Sequence, residues 1–406
     1  MQARAFRKIV AIGSWLRDFV VIDRTAVYEQ LTPSLAKSLG VAVSTVYFLH
    51  YSPLPDRFAM LMEDLSEPPR SCEQIDQITG LRPDEALAAV DYAAKIHAHY
   101  LGQISTSGFQ NVRTQAEPDP EKRKYNAEVY PAMYPMWLDI QRGPGWEEDF
   151  NLPDEAPFNQ CVSLYAHHVL EFYDYFSGPE MSAQFTLNHG DLRADNIMAS
   201  RDDSTGELSS FVPIDMQTLK ACPGEFDLAY LLSQSLTTEQ RRATEIDLIK
   251  EYHSRMPDGY SVSASLYHFQ LFLVYGAARI ALISAGESNM QASERGRLLF
   301  LTLMTRARIA TDDWNCLAAW QNMLERVAAG DSGPPPDDEA LALVPPHLLA
   351  AMLGSEPADA AAGETAASSG AEGPAYFSLF CRVSAVFPPK SGEFRVDLAE
   401  TSGRFM

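Results

Sequence analysis

Asp191, Asn196 and Asp215 stand in an order and spacing suited to moving a phosphoryl group. His189-Gly190-Asp191-Leu192-Arg193-Ala194-Asp195-Asn196 forms one short polar loop, and Asp215-Met216-Gln217 begins nineteen residues after Asn196. Phosphoryl transfer passes through a loose transition state, so a protein accelerates it mainly by placing the nucleophile and neutralising phosphate oxygens. Asp191 is the candidate base, orienting and deprotonating a substrate hydroxyl. Asn196 and Asp215 offer hard oxygen ligands to Mg²⁺, which keeps several waters and needs only one or two protein groups beside the phosphates of ATP. Arg193 supplies a fixed positive charge for the transferred phosphate.

Such side chains need firm elements on either side. Phe185 to Leu187 is an apolar run entering the loop, Ile197-Met198-Ala199 leaves it, and Phe211-Val212-Pro213-Ile214 leads into Asp215. Between the last two, Asp202-Asp203-Ser204-Thr205-Gly206 is a turn signal, so a strand, turn, strand unit is expected to set Asn196 and Asp215 at neighbouring strand ends. Taken singly, His-Gly-Asp and Asp-Met-Gln are ordinary polar turns. The ordered set in this setting is what points to chemistry.

The pattern HGDLRADN, then DMQ, then Glu225-Phe226-Asp227-Leu228-Ala229-Tyr230 resembles the aminoglycoside phosphotransferase and choline kinase group of small-molecule kinases. Within that group it is most similar to the ecdysteroid-kinase-like branch. Met60-Leu61-Met62-Glu63-Asp64-Leu65 resembles the family's hinge strand and Lys95-Ile96-His97-Ala98-His99 its first large-lobe helix, so the resemblance spans roughly residues 25 to 325. It implies an α+β, protein-kinase-like two-lobe fold, here with a truncated N-terminal β lobe and a large, mainly helical C-terminal lobe. It also implies ATP as donor, Mg²⁺ as cofactor and a hydroxyl of a small molecule as acceptor. By the same resemblance, Asp227 braces the catalytic loop, His189 is mainly structural, and the peptide groups around Glu63 and Leu65 bond the adenine edge.

The bulk properties set outer bounds. With 406 residues, 46% of them hydrophobic, the chain is long enough for two lobes around a sizeable core. A formal charge of −22 argues against nucleic acid or an anionic membrane as a general partner. ATP is anionic too, so the site must create its own positive field. Cys72, Cys161, Cys222, Cys316 and Cys381 are scattered and contain no CxxC pair, the pattern of reduced thiols in a cytoplasmic protein. The apolar run Phe269 to Gly286 contains Gln270 and Arg279, which fits a buried helix rather than a membrane span. Near the start, Trp15-Leu16-Arg17-Asp18 interrupts the apolar run too early for a signal peptide.

Along the chain, Val41 to His50 and Arg57 to Met62 read as a hairpin. From Pro83 the pattern turns helical, with Asp84 and Glu85 in the first turn and Leu87, Val90, Ala94, His97 and Leu101 on one stripe. His97 is therefore expected to be a hydrogen-bonded core histidine. Tyr165, Val169, Phe172 and Phe176 make another stripe; Thr237 and Gln240 fit a capping box, and Gly330 ends a helix begun near Trp314. From Asp331 to Gly373 there are eight acidic residues and no lysine or arginine, the composition of a disordered tail. The expected division is thus a partial small lobe at 1–65, a helical catalytic lobe at 66–330 and an acidic, mostly disordered tail at 331–406.

The N-terminal end fits the resemblance least well. A kinase of this kind has a phosphate-covering turn, a strand lysine and a glutamate that pairs with it. No glycine-rich turn precedes the hairpin. Arg24 stands where the acid is expected, with Asp23 and Glu29 as substitutes, and Lys8 is either the strand lysine or an ordinary surface lysine. Two expectations follow: an active small-molecule kinase whose first strands are missing from this sequence, or a degenerate kinase-like protein that binds a ligand or partner without efficient transfer. A protein kinase is disfavoured, because only eleven residues separate Asp215 from Asp227, too few for a peptide-binding platform.

Overall fold

Strands are short and come early; helices dominate after residue 83. The computed structural model describes residues 32–53, 56–104, 120–143, 152–286 and 293–354, all within the first of two units, Met1–Ala358. Lys8, Asp23, Arg24 and Glu29 lie outside the described residues, as does everything from 355 onward.

A short helix, Thr32–Leu39 (α1), precedes the hairpin of Val46–Pro53 (β1) and Asp56–Met62 (β2). Their antiparallel register runs from Val46 opposite Met62 to Pro53 opposite Asp56, with a bulge between Val46 and Phe48. The hairpin expected from the β-branched and aromatic run is present, shifted a few residues C-terminal at its first strand. A two-residue strand, Glu73–Gln74 (β3), leads to the helix Pro83–Tyr100 (α2), where Pro83 takes the first position and the Glu85 side chain accepts from the Arg82 amide at 2.9 Å. Leu87, placed by periodicity on the inner stripe, is 45% exposed. The inner face is built instead from small residues, Ala86, Ala89, Ala93 and Ala94, with Val90 and His97, because α2 packs closely against several elements at once.

The helices Pro120–Gln141 (α3), Pro157–His167 (α4) and Val169–Phe176 (α5) follow, and the stripe Tyr165, Val169, Phe172, Phe176 is buried across the break at His168. The strand Thr186–Asn188 (β4) then leads into the loop 189–196. Ile197–Arg201 (β5) and Leu208–Pro213 (β6) form an antiparallel hairpin with β3 on its outer edge, and β4 pairs with Lys220–Cys222 (β7). The turn at 202–206 closes as its sequence suggests: the Asp202 carboxylate accepts from the Ser204 and Thr205 amides, and Gly206 has φ +71°.

Next come Glu225–Ser235 (α6), Thr238–Arg255 (α7), Val262–Gly286 (α8), Glu294–Asp313 (α9) and Cys316–Ala329 (α10). Both bonds of the Thr237/Gln240 capping box are made, and Gly330 ends α10 at φ +85°. Helix α8 is apolar on every side and is touched by α3, α4, α6, α9 and α10, so it forms the axis of the core. It is long and apolar enough to cross a membrane, yet 78% of that stretch is buried inside the protein.

Residues 331–354 differ from the expectation of disorder. Asp337–Ala342 (α11) and Pro346–Leu353 (α12) are helical, α11 packing on α8 and α12 on α7, with Ala340, Val344 and Leu348 buried. Gln270 also donates to the Leu343 carbonyl at 3.0 Å. Average composition concealed a few apolar residues at helical spacing, and those are enough to dock two turns on an existing core.

Candidate active site

The loop 189–196 leaves β4 and enters β5 through a single 3-10 turn, Ala194–Asn196. Its entry is held from below by Asp227 on α6. The Asp227 carboxylate accepts from the His189 amide at 2.6 Å and the Gly190 amide at 2.9 Å, and lies 3.4 Å from His97 Nε2. That last contact has ion-pair distance without hydrogen-bond alignment, while His97 Nδ1 is 3.0 Å from the Tyr252 hydroxyl. Burial alone would raise the Asp227 pKa; the contacts with His97, His189 and the Gly190 amide outweigh it and hold the carboxyl below its ordinary value. Gly190 has φ +84°, and a Cβ there would lie 1.9 Å from the Thr218 carbonyl oxygen.

His189 ties the two halves of the site together. Its Nε2 is 3.0 Å from the Ile214 carbonyl, which can only accept, and its Nδ1 is 3.3 Å from the Asp191 amide, which can only donate. The ring is therefore the Nε2–H tautomer. The Ile214 amide in turn donates to the Asn196 carbonyl at 2.8 Å, beside the Ile197–Pro213 register pair. Asn196 and Asp215 thus stand at adjacent strand ends, with Asp191 at the start of the same loop.

Asn196 donates through Nδ2 to the Asp191 carbonyl at 2.9 Å and to its carboxylate Oδ2 at 2.8 Å. Both partners only accept, so the amide orientation is fixed and Oδ1 faces away from Asp191. Asp215 adopts a left-handed conformation, φ 65° and ψ 56°, uncommon outside glycine and frequent at functional sites. The described residues contain no cluster of three or more His, Cys, Asp or Glu at metal-binding spacing. One amide oxygen and one carboxylate nonetheless fit Mg²⁺, which completes its shell with water and phosphate.

Arg193 turns toward Asp191. Its Nε lies 3.5 Å from Asp191 Oδ1 and has no hydrogen-bond partner. Burial would lower its pKa, but Tyr230, Asp191, Asp195 and Asp215 around it hold it above the ordinary value. The Tyr230 hydroxyl is also within reach of the Asp191 carboxylate; burial first, and that carboxylate second, raise its pKa. Tyr230 was visible in the motif with no role attached, although it lies three residues after Asp227 and hence on the same side of α6. Gln77 was not visible at all. It exchanges two hydrogen bonds with Asp195, from its amide at 3.0 Å and to its Oε1 at 3.1 Å, and so anchors the middle of the loop from 118 residues away.

At the expected hinge, the Glu63 amide donates to Thr45 O at 2.8 Å and the Leu65 carbonyl accepts from Cys72 at 2.7 Å. The Glu63 carboxylate pairs with Arg70 at 2.8 Å. Among the described residues, no backbone bond takes up the Glu63 carbonyl or the Leu65 amide. Leu65 sits in a small separate core with Cys72 and Val212, which fixes the hinge to β6. Val43, Ser44, Met62, Ile214 and Asp215 line a pocket between the hairpin and the β6 end, with free space of only about 10 Å³. That is the room of one water.

Residues 23–261 match the profile of the ecdysteroid kinase-like family. Among solved structures, the chain is similar to a microcompartment-associated aminopropanol kinase, with 16% identity, a TM-score of 0.45, and 80% of this chain and 87% of that one covered. It is also similar to a choline/ethanolamine kinase family protein from Mesorhizobium loti (16% identity, TM-score 0.40, covering 73% and 82%). A third is the choline kinase LicA from Streptococcus pneumoniae (14% identity, TM-score 0.39, covering 77% and 86%). No curated protein matches the chain.

Proposed function

Because the chain belongs to the ecdysteroid kinase-like family, we propose that it transfers the terminal phosphoryl group of ATP to a hydroxyl of a small molecule. The observation that carries this reading is the loop 189–196, clamped by Asp227, in which Asn196 fixes the Asp191 carboxylate and stands beside the strand end that bears Asp215.

In this reading Asp191 accepts the proton of the acceptor hydroxyl as its oxygen bonds to the terminal phosphorus and the bond to the ADP oxygen breaks. Asn196 Nδ2 holds the carboxylate in one orientation, which leaves the proton-accepting lone pair aimed at a single place. Asn196 Oδ1 and the Asp215 carboxylate would hold Mg²⁺, which when bound neutralises phosphate oxygens. Arg193 sits against Asp191 and adds positive charge to the same corner. The Glu63 carbonyl and Leu65 amide take the adenine edge. His189 and Asp227 touch no reactant and act by positioning.

Asp191→Asn tests the assignment while keeping the side chain's size. With labelled ATP and a metabolite pool as acceptor source, the expected result is a loss of transfer of about a thousandfold. Calorimetric Mg²⁺-ATP binding should stay within about twofold. Undiminished transfer would remove Asp191 from the chemistry. Binding without transfer in both proteins would favour a kinase-like binding protein.

A further inference from the structure

Arg279, on α8, is half-buried, and among the described residues no carboxylate lies at ion-pair distance from its guanidinium. Nη1 donates to the Tyr275 hydroxyl at 2.9 Å, Cζ lies 5.3 Å from the centre of the Tyr275 ring, and Nε is buried without an acceptor. Among the described residues no ion pair includes Arg279. Its surroundings are tyrosines: the Tyr165 ring lies 5.3 Å from Tyr130 and 5.6 Å from Tyr275. Burial pushes the Tyr130, Tyr165 and Tyr173 hydroxyls up, so they stay neutral and cannot balance the charge. An arginine cannot shed its proton, and a desolvated charge without a counter-charge is costly.

The same helix face reaches the candidate catalytic base. Gly276, three residues before Arg279, presents bare backbone to Tyr230, with 3.5 Å between the position of a Cβ and Tyr230 Cδ2. Tyr230 in turn reaches Asp191. Phe226 and Lys220 complete this side, the Lys220 ammonium lying 3.9 Å over the Phe226 ring and that ring 5.4 Å from Tyr275. The wall next to Asp191 is therefore aromatic and cationic, in a protein whose formal charge is −22.

We propose that Arg279 is the anion subsite of the acceptor pocket, and that the molecule presenting its hydroxyl to Asp191 also carries a carboxylate held by this guanidinium. The proposal rests on the phosphotransfer reading for the hydroxyl, and on Arg279 alone for the carboxylate. A monoanion matches the one guanidinium charge of Arg279. With Nη1 engaged by Tyr275, the Nε side is the edge that can pair with the two oxygens of a planar carboxylate once the site opens.

Three matched probes test this on the full chain: para-hydroxymethylbenzoate, its methyl ester and para-hydroxymethylbenzylamine. Binding is followed by calorimetry, and Mg²⁺-ATP-dependent ADP release is measured separately. The carboxylate should bind about tenfold or more tightly than the ester or the amine, less so at high salt. Arg279→Gln should erase that preference and Arg279→Lys should keep part of it. Equal affinities, a preference for the amine, no carboxylate binding at millimolar concentration, or a preference unchanged in Arg279→Gln would each overturn the subsite. The comparison of probes on the unaltered chain stands even where a variant fails to fold. Carboxylate preference without ADP release would refute the kinase reading and leave the subsite; ADP release stimulated equally by ester or amine would do the reverse.

Discussion

At Gly190 the positive φ and the approach of the Thr218 carbonyl leave no space for a side chain. Gly190→Ala adds left-handed strain and a clash with backbone that cannot swing aside, so a loss of about 3 kcal/mol or more is expected in urea unfolding. A loss under about 1 kcal/mol would mean that the loop adapts, and with it the rigid placement of Asp191. The candidate chemistry was legible at this scale because it is local: Asp191 and Asn196 share one loop, and a single turn signal foretold that Asp215 would end the neighbouring strand. Direction was not legible. Arg193 turns back onto Asp191, and Tyr230 joins it, only because α6 packs beneath the loop. Arg279 read as one polar interruption in a buried helix, since its missing partner is a property of its neighbours and not of its own segment.

Elements with their own end signals followed the sequence, as the Thr237 cap and the Gly330 stop illustrate. Those decided by packing did not: α2 hides its alanines and exposes Leu87. Burial has an electrical consequence in α7 and α8. His268, 3.0 Å from the Tyr175 hydroxyl, is held down to about 3, and His253, 2.8 Å from Ser265, to about 4; desolvation is the cause in both. Unfolding returns each toward its ordinary 6.5. Below that value the unfolded chain binds more protons, so these two stabilise the fold fully above about pH 6.5 and lose that effect as the pH falls toward their folded values. The expected slope is up to about 1.4 kcal/mol per pH unit for each histidine. Urea midpoints between roughly pH 7.5 and 5 check it, and His268→Gln, which retains an acceptor for Tyr175, should remove about half of the histidine contribution. An unchanged slope would show that His268 takes up its proton in the folded protein.

Across the whole molecule, one helical core built on α8 fixes the loop from below, while among the described residues the β1–β2 hairpin meets the site at a narrow pocket. The sequence anticipated this unequal division, and missed that the segment after Asp331 contributes two helices to the core. The cysteines lie within this architecture. Cys72, Cys161, Cys222 and Cys316 are all buried, and burial pushes the thiols of Cys161, Cys222 and Cys316 up. A thiol reacts as its thiolate, so these three stay silent toward alkylating reagents until the surrounding structure opens. Cys222 ends β7, directly opposite Thr186 at the start of β4. In a chain with Cys381→Ser, labelling of Cys222 should therefore keep time with opening of the β4–β7 strand pair, and labelling of Cys161 and Cys316 with loss of the α4–α10 packing. Prompt labelling of Cys222 without denaturant would contradict this. The protein carries its own clocks for how its parts come apart, one at the candidate active site and two in the core behind it.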